Sequence, residues 1–139
     1  MSCVFDSSSI FEALIRKRIR CLSGNLTISL ARYELGNVIW KRGMLSKDLK
    51  TDAQAKLLAL ARDGLKLMKV IDIEGQEEGV LNVAEELKIA FYDASYVYAA
   101  KARGVPLVTE DKGLRERAKC KVKTVSLDQL GHINCRDVQ

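Results

Sequence analysis

Residues 92–111 read YDASYVYAAKARGVPLVTED, and this stretch decides the fold. Asp93 opens a helical run that lasts to Arg103, where Gly104 supplies the left-handed residue that closes a helix. Pro106, the only proline, then precedes the apolar triplet Leu107-Val108-Thr109, which is long enough for a short strand and ends just before Asp111. Working towards the N-terminus, the same alternation repeats. Residues 2–5 (SCVF) form an apolar run that stops at Asp6, and Asp6-Ser7-Ser8-Ser9 are helix-capping residues. Ile10, Leu14, Ile15 and Ile19 follow at helical spacing. Residues 26–28 read as a second strand, and a helix then runs from Ser29 to about Arg42, stopped by Gly43. A further helix spans 46–62, with Ser46 and Asp48 at its start and Gly64 ending it. Residues 68–73 are the third strand and 76–88 the next helix. Working towards the C-terminus, 112–118 form a short helix, 122–125 a fifth strand, and the tail 131–139 carries no pattern and reads as frayed. Strands alternating with helices predict an α/β domain over residues 1–130, in three layers around a mostly parallel sheet of about five strands. In such sheets the crossovers are right-handed and ligands sit beyond the carboxyl ends of the strands.

A chain of 139 residues can bury one sizeable core, and 47% hydrophobic with 29% charged residues is a globular, water-compatible composition. No apolar run approaches the ~20 residues of a membrane-spanning helix. At the N-terminus the acids Asp6 and Glu12 come before the first basic residues, the reverse of a secretory signal, so a cytoplasmic location is expected. The net charge of +5 is concentrated in two clusters, Arg16, Lys17, Arg18 and Arg20, and Lys112, Arg115, Arg117, Lys119, Lys121 and Lys123. Basic clusters suit a polyanion, although taken alone a solvated charged face accounts for them better. No aromatic residues interleave with them as a stacking platform for bases. Cys3, Cys21, Cys120 and Cys135 lack metal-ligand spacing and His132 is the only histidine, which argues against zinc and leaves the cysteines as small buried hydrophobes.

The chemistry resides in acids. Asp6 and Asp111 stand at strand exits, and Asp93 lies in the first turn of its helix. Glu34, in ARYELGNVIW, lies beside the core-facing Leu35, Val38 and Ile39. Thr109 and Asp111 are two apart, so in extended backbone they point to the same side, and Glu110 between them faces away. Each acid has an ordinary reading: Asp6, Asp93 and Asp111 as helix caps, Glu34 as a helix residue paired with Arg32 or Lys41. Together they would repel one another on one sheet edge unless a cation neutralised them. Oxygen donors without His or Cys select hard ions, magnesium or manganese, and such sites serve phosphodiester hydrolysis without a histidine base.

VFDSSS near the start, YELGN in the second helix, and YDASYVYAAKARGVPLVTED with its continuation KGLRERA resemble the PIN-domain family. The likeness is to its compact members, the toxins of VapBC toxin–antitoxin pairs, and it spans Cys3 to about Leu130. It implies a metal-dependent endoribonuclease that forms a homodimer, cleaves RNA and is inhibited by a small antitoxin protein. It also implies that Asp6, Glu34, Asp93 and Asp111 hold the Mg²⁺ or Mn²⁺ and carry catalysis. By the same likeness Thr109 orients a carboxylate or a water, Ser8 is the small polar residue beside Asp6, and Asn37 supports Glu34 from the next helical turn. Lys112 and Arg115, which follow Asp111 directly, are the basic residues expected to hold RNA.

Other readings fit the sequence less well. A haloacid-dehalogenase-like phosphatase needs a second Asp where this chain has Ser8. A receiver-like signalling domain needs paired acids after the first strand and a Lys after the fifth, where Ser126 stands. A non-catalytic PIN-like RNA-binding or assembly module keeps the fold, but such a protein would have no physical reason to retain four mutually repelling acids.

Overall fold

The computed structural model describes residues 2–47 and 49–133, and the side chains of 131–133 are left aside. Asp48, expected at a helix start, Cys135, and the tail from 134 onwards lie outside the described residues. Five strands, β1 (Val4–Phe5), β2 (Leu26–Ile28), β3 (Lys69–Ile71), β4 (Leu107–Val108) and β5 (Thr124–Val125), pair in parallel throughout, in the order β3-β2-β1-β4-β5. Seven helices connect and flank them: α1 (Ser7–Ile15), α2 (Leu30–Met44), α3 (Thr51–Leu67), α4 (Glu77–Leu87), α5 (Phe91–Arg103), α6 (Lys112–Ala118) and α7 (Leu127–Ile133). α1 packs with α2, α3 and α7, while α5, backed by α4, lies across β1, β2 and β4. This is the three-layer α/β/α arrangement the alternating pattern predicts. Both β1 and β4 are fully buried, as the central strands of a parallel sheet must be, and β3 is the exposed edge.

The strand order reverses between β1 and β4, the point at which a crevice opens beyond the strand ends. Two bonds fasten the two strands there: the Asp6 amide donates to the Val108 carbonyl at 3.1 Å, and Ser9 Oγ donates to the same carbonyl at 2.8 Å.

Several expected boundaries move. α1 does not extend to Ile19: it ends at Ile15, Lys17 takes a left-handed φ of 58°, and Ile19–Leu22 is a separate 3-10 turn. Gly43 does not stop α2 and Gly64 does not stop α3. A Cβ at Gly43 would lie 2.1 Å from the Gln54 amide, and one at Gly64 would lie 3.0 Å from Leu22 Cδ1 and 3.3 Å from Leu14 Cδ2. Both glycines therefore mark close approach between helices. Gly104 keeps the expected role, with φ 64° and its amide on the Ala100 and Lys101 carbonyls. α3 starts at Thr51 rather than 46, and the strands expected at 68–73 and 122–125 shrink to Lys69–Ile71 and Thr124–Val125. Residues 131–133, expected as the start of a frayed tail, continue helix α7, which the fully buried Leu127 and Leu130 anchor to the core.

Candidate active site

β1 ends at Phe5, so Asp6 emerges at its carboxyl end, buried with 5% exposure. Its Oδ1 accepts the Ser9 amide at 3.0 Å, which caps α1, and also the hydroxyls of Ser8 at 2.7 Å and Ser9 at 3.1 Å. The loop leaving β4 fixes the direction of two hydroxyls. The Glu110 amide donates to Ser8 Oγ at 3.0 Å, and the Asp111 amide donates to Thr109 Oγ1 at 3.1 Å. Each oxygen thus receives a backbone proton and has its own to give. Both are spent around Asp6, whose carboxyl Thr109, Ser8 and Ser9 all pull down; burial outweighs them and holds it above its usual range. Ser8 thus stands bonded to Asp6, with Thr109 bonded to Ser8 at 3.3 Å.

Asp111 sits exposed at the start of α6, its Oδ1 accepting the Leu114 amide at 3.1 Å as the helix cap. Asp93 lies half-buried in the first turn of α5 and accepts no hydrogen bond among the described residues. Burial raises its carboxyl above the usual range, and the charges of Asp111, Asp6 and Glu34 push it further. Asp93 thus lies within electrostatic reach of the other three acids. Glu34 stands on α2, and its Oε1 accepts the Tyr96 hydroxyl at 2.6 Å. Burial, and then the Glu34 carboxylate, hold the Tyr96 hydroxyl protonated well above the usual phenol range.

Some expectations fall elsewhere. Asn37 is exposed and makes no hydrogen bond to Glu34 among the described residues; Tyr96 takes that part. Tyr96 lies in the stretch YDASYVYAAKARGVPLVTED, three residues after Asp93, where nothing in the sequence set it apart from a core tyrosine. Arg115 turns its guanidinium onto the Thr109 carbonyl at 2.7 Å, bracing the strand exit, while Lys112 is exposed at the first residue of α6. Glu110 does face away: its Oε1 accepts the Leu127 amide at 2.6 Å, holding the first residue of α7. A cavity of about 240 Å³ opens beside Asp93 and Asp111, and the basic residues lining it are Lys88 and Arg117.

Among the described residues no three of His, Cys, Asp and Glu stand closed up as a ready ligand set. Asp111 holds one oxygen on the Leu114 amide and Glu34 one on the Tyr96 hydroxyl. The donor set nevertheless fits a hard divalent ion. It is all oxygen; Asp111 and Glu34 each commit one carboxylate oxygen, and Asp93 commits neither.

The PIN domain family model matches residues 4–119. The chain belongs to the PIN-domain family. It is similar to "Exonuclease VapC9" of Pyrobaculum aerophilum, at 33% identity over 118 residues, covering 85% of this chain and 82% of the relative. "Ribonuclease VapC3" of the same organism is 31% identical over 94 residues, covering 66% of this chain and 69% of that one. Among solved structures, PAE2754 from Pyrobaculum aerophilum superposes with a TM-score of 0.79 at 29% identity, covering 94% of this chain and 93% of that one. No helix among the described residues is long and apolar enough to cross a membrane.

Proposed function

We propose that the chain is a divalent-metal-dependent endoribonuclease, the toxin of a toxin–antitoxin pair, and that it works as a homodimer restrained by a small antitoxin protein. The observation that carries the reading is Asp93, half-buried and pressed upward by Asp111, Asp6 and Glu34 at the reversal point of the sheet. The VapC names of the relatives support the pairing with an antitoxin and with RNA.

Asp6, Glu34, Asp93 and Asp111 would hold Mg²⁺ or Mn²⁺, which supplies an acidified water and neutralises charge building on the phosphate oxygens. The chain's own part is placement. Ser8 and Thr109 counter part of the burial that raises the Asp6 carboxyl, and Ser8 fixes the orientation in which it would meet a cation. Tyr96 fixes the angle at which Glu34 enters the pocket, while Asp93 is left to turn toward whatever charge arrives. Arg115 and the Asp111 cap brace the exit of β4, so Thr109 and Asp111 hold their positions.

The decisive experiment is cleavage of linear and circular single-stranded RNA with manganese, magnesium or EDTA, using wild type and the variants Asp6→Asn, Asp93→Asn and Asp111→Asn. We expect cleavage with either metal, none in EDTA, and loss of most activity in each variant. Undiminished cleavage in EDTA, or full activity in all three variants, would refute the metal nuclease. One relative is named an exonuclease, so the circular substrate separates the alternatives. An endonuclease opens it and an exonuclease leaves it intact.

A further inference from the structure

We infer that Arg117 is the residue that grips the RNA backbone at the acid pocket, taking a phosphate adjacent to the one that is cleaved. The inference rests on the phosphodiester substrate proposed above, and it moves the basic grip away from Lys112 and Arg115. Arg117 lines the same cavity as Asp93 and Asp111. At about 240 Å³ the cavity falls below the ~300 Å³ where sites for drug-sized ligands begin, a size suited to one phosphate with part of its nucleoside.

The guanidinium is anchored. Its Nη1 donates to the Lys88 carbonyl at 2.8 Å, and Lys88 ends α4 in the left-handed conformation, with φ 55°. That single bond uses one of the five donors of the fork, and among the described residues Arg117 forms no ion pair, although two aspartates line the same cavity. Of the other basic side chains nearby, Arg115 is turned onto the Thr109 carbonyl at the strand exit, Lys119 onto Glu116 and Lys121 onto Glu86, while Lys88 lines the cavity beside Arg117 and Lys112 is exposed at the first residue of α6. A pocket of carboxylates repels phosphate, so a strand can be drawn in only by a cation held at its margin. An arginine that is permanently charged, held in place and still offering a fork matches the two free oxygens of a phosphodiester.

The test is binding of a short fluorescein-labelled single-stranded RNA, read by fluorescence anisotropy in EDTA over a range of salt concentrations. Wild type, Arg117→Gln and Arg117→Lys are compared, with melting curves confirming that each variant folds. We expect Arg117→Gln to bind roughly five-fold more weakly, with a plot of log affinity against log salt shallower by about 0.7, the value for one phosphate on a single strand. Arg117→Lys keeps the charge and should keep the wild-type slope. If Arg117 only pins α6 to the end of α4, melting temperatures shift and the lines stay parallel. Equal affinities, including none for any of the proteins, overturn the inference. Because binding is read without metal, the result stands apart from the cleavage assay. RNA that binds through Arg117 but is never cut would refute the nuclease and leave the grip in place.

Discussion

Asp6 and Asp93 are both raised above the ordinary carboxyl range by burial, and for Asp93 the neighbouring charges add to it. In the unfolded chain such groups titrate near ~3.9. The folded state therefore holds their protons more tightly. The stability they permit is complete below the unfolded value and is lost as pH rises through the folded ones. Without metal, thermal melts should show stability falling as pH climbs from the acid side, and Asp93→Asn should flatten that fall. At neutral pH in EDTA the variant should melt at or above the wild-type temperature, while manganese should raise the wild type more than the variant. A variant that melts clearly lower would show that Asp93 serves the fold rather than a cation. Tyr96 calls for a different measurement. Tyr96→Phe deletes the hydroxyl on Glu34 at a site that is 1% exposed, so a stability loss of about 1 kcal/mol is expected. The manganese concentration giving half-maximal activity should rise by roughly ten-fold or more, the usual effect of removing the partner that orients a ligand. An unchanged manganese dependence would remove Tyr96 from the site.

At the scale of elements, the cap and the proposed ligand fall on the same residue. Asp6 caps α1 and Asp111 caps α6, so the ordinary reading of these two acids holds, and the proposed metal role would be added to it. Asp111→Asn preserves the cap and should keep the melting temperature while losing activity; Asp111→Ala should lose activity and about 1 kcal/mol of stability as well. The glycines separate equally well. Gly64→Ala drives a methyl group towards Leu22 and Leu14, which are buried and have nowhere to move, so a loss of roughly 1–2 kcal/mol is expected in urea unfolding. Gly43→Ala meets only the end of the flexible Gln54 side chain and should be neutral or slightly stabilising, since alanine favours a helix by up to ~1 kcal/mol over glycine. These two positions explain why the sequence misled at the ends of α2 and α3. A glycine that stops a helix and a glycine that lets another helix approach look alike until the neighbour is known. The phase of α6 was hidden for a related reason. Arg115 and Arg117 are two residues apart, about 200° around a helix, so they face nearly opposite ways, and only the docked helix decides which one meets the pocket. The strand-exit acids were legible because a parallel sheet exposes the carboxyl ends of its strands in a fixed place. Tyr96 was not, since a tyrosine at helical spacing on an apolar face reads as core.

At the scale of the whole molecule, the least legible part was α7. LDQLGHI is too short and too polar to display a period, yet Leu127 and Leu130 are buried, Glu110 holds its first amide, and Arg16 pairs with Asp128 at 2.5 Å. Leu127→Ala should cost about 2–5 kcal/mol in urea unfolding, because the site has core on every side; a cost under 1 kcal/mol would show α7 to be an appendage. The sheet order has another consequence, one of timing. β1 and β4 are neighbours in space, but about a hundred residues of chain separate them, and the residues between Asp6 and Thr109 must be synthesised before they can meet. A half-made chain emerging from the ribosome carries Asp6 and Glu34 but no crevice for them to line. Asp6 and Asp111 come together only when the segment that carries β4 pairs with the first strand, so during synthesis the crevice cannot form until that strand has been made.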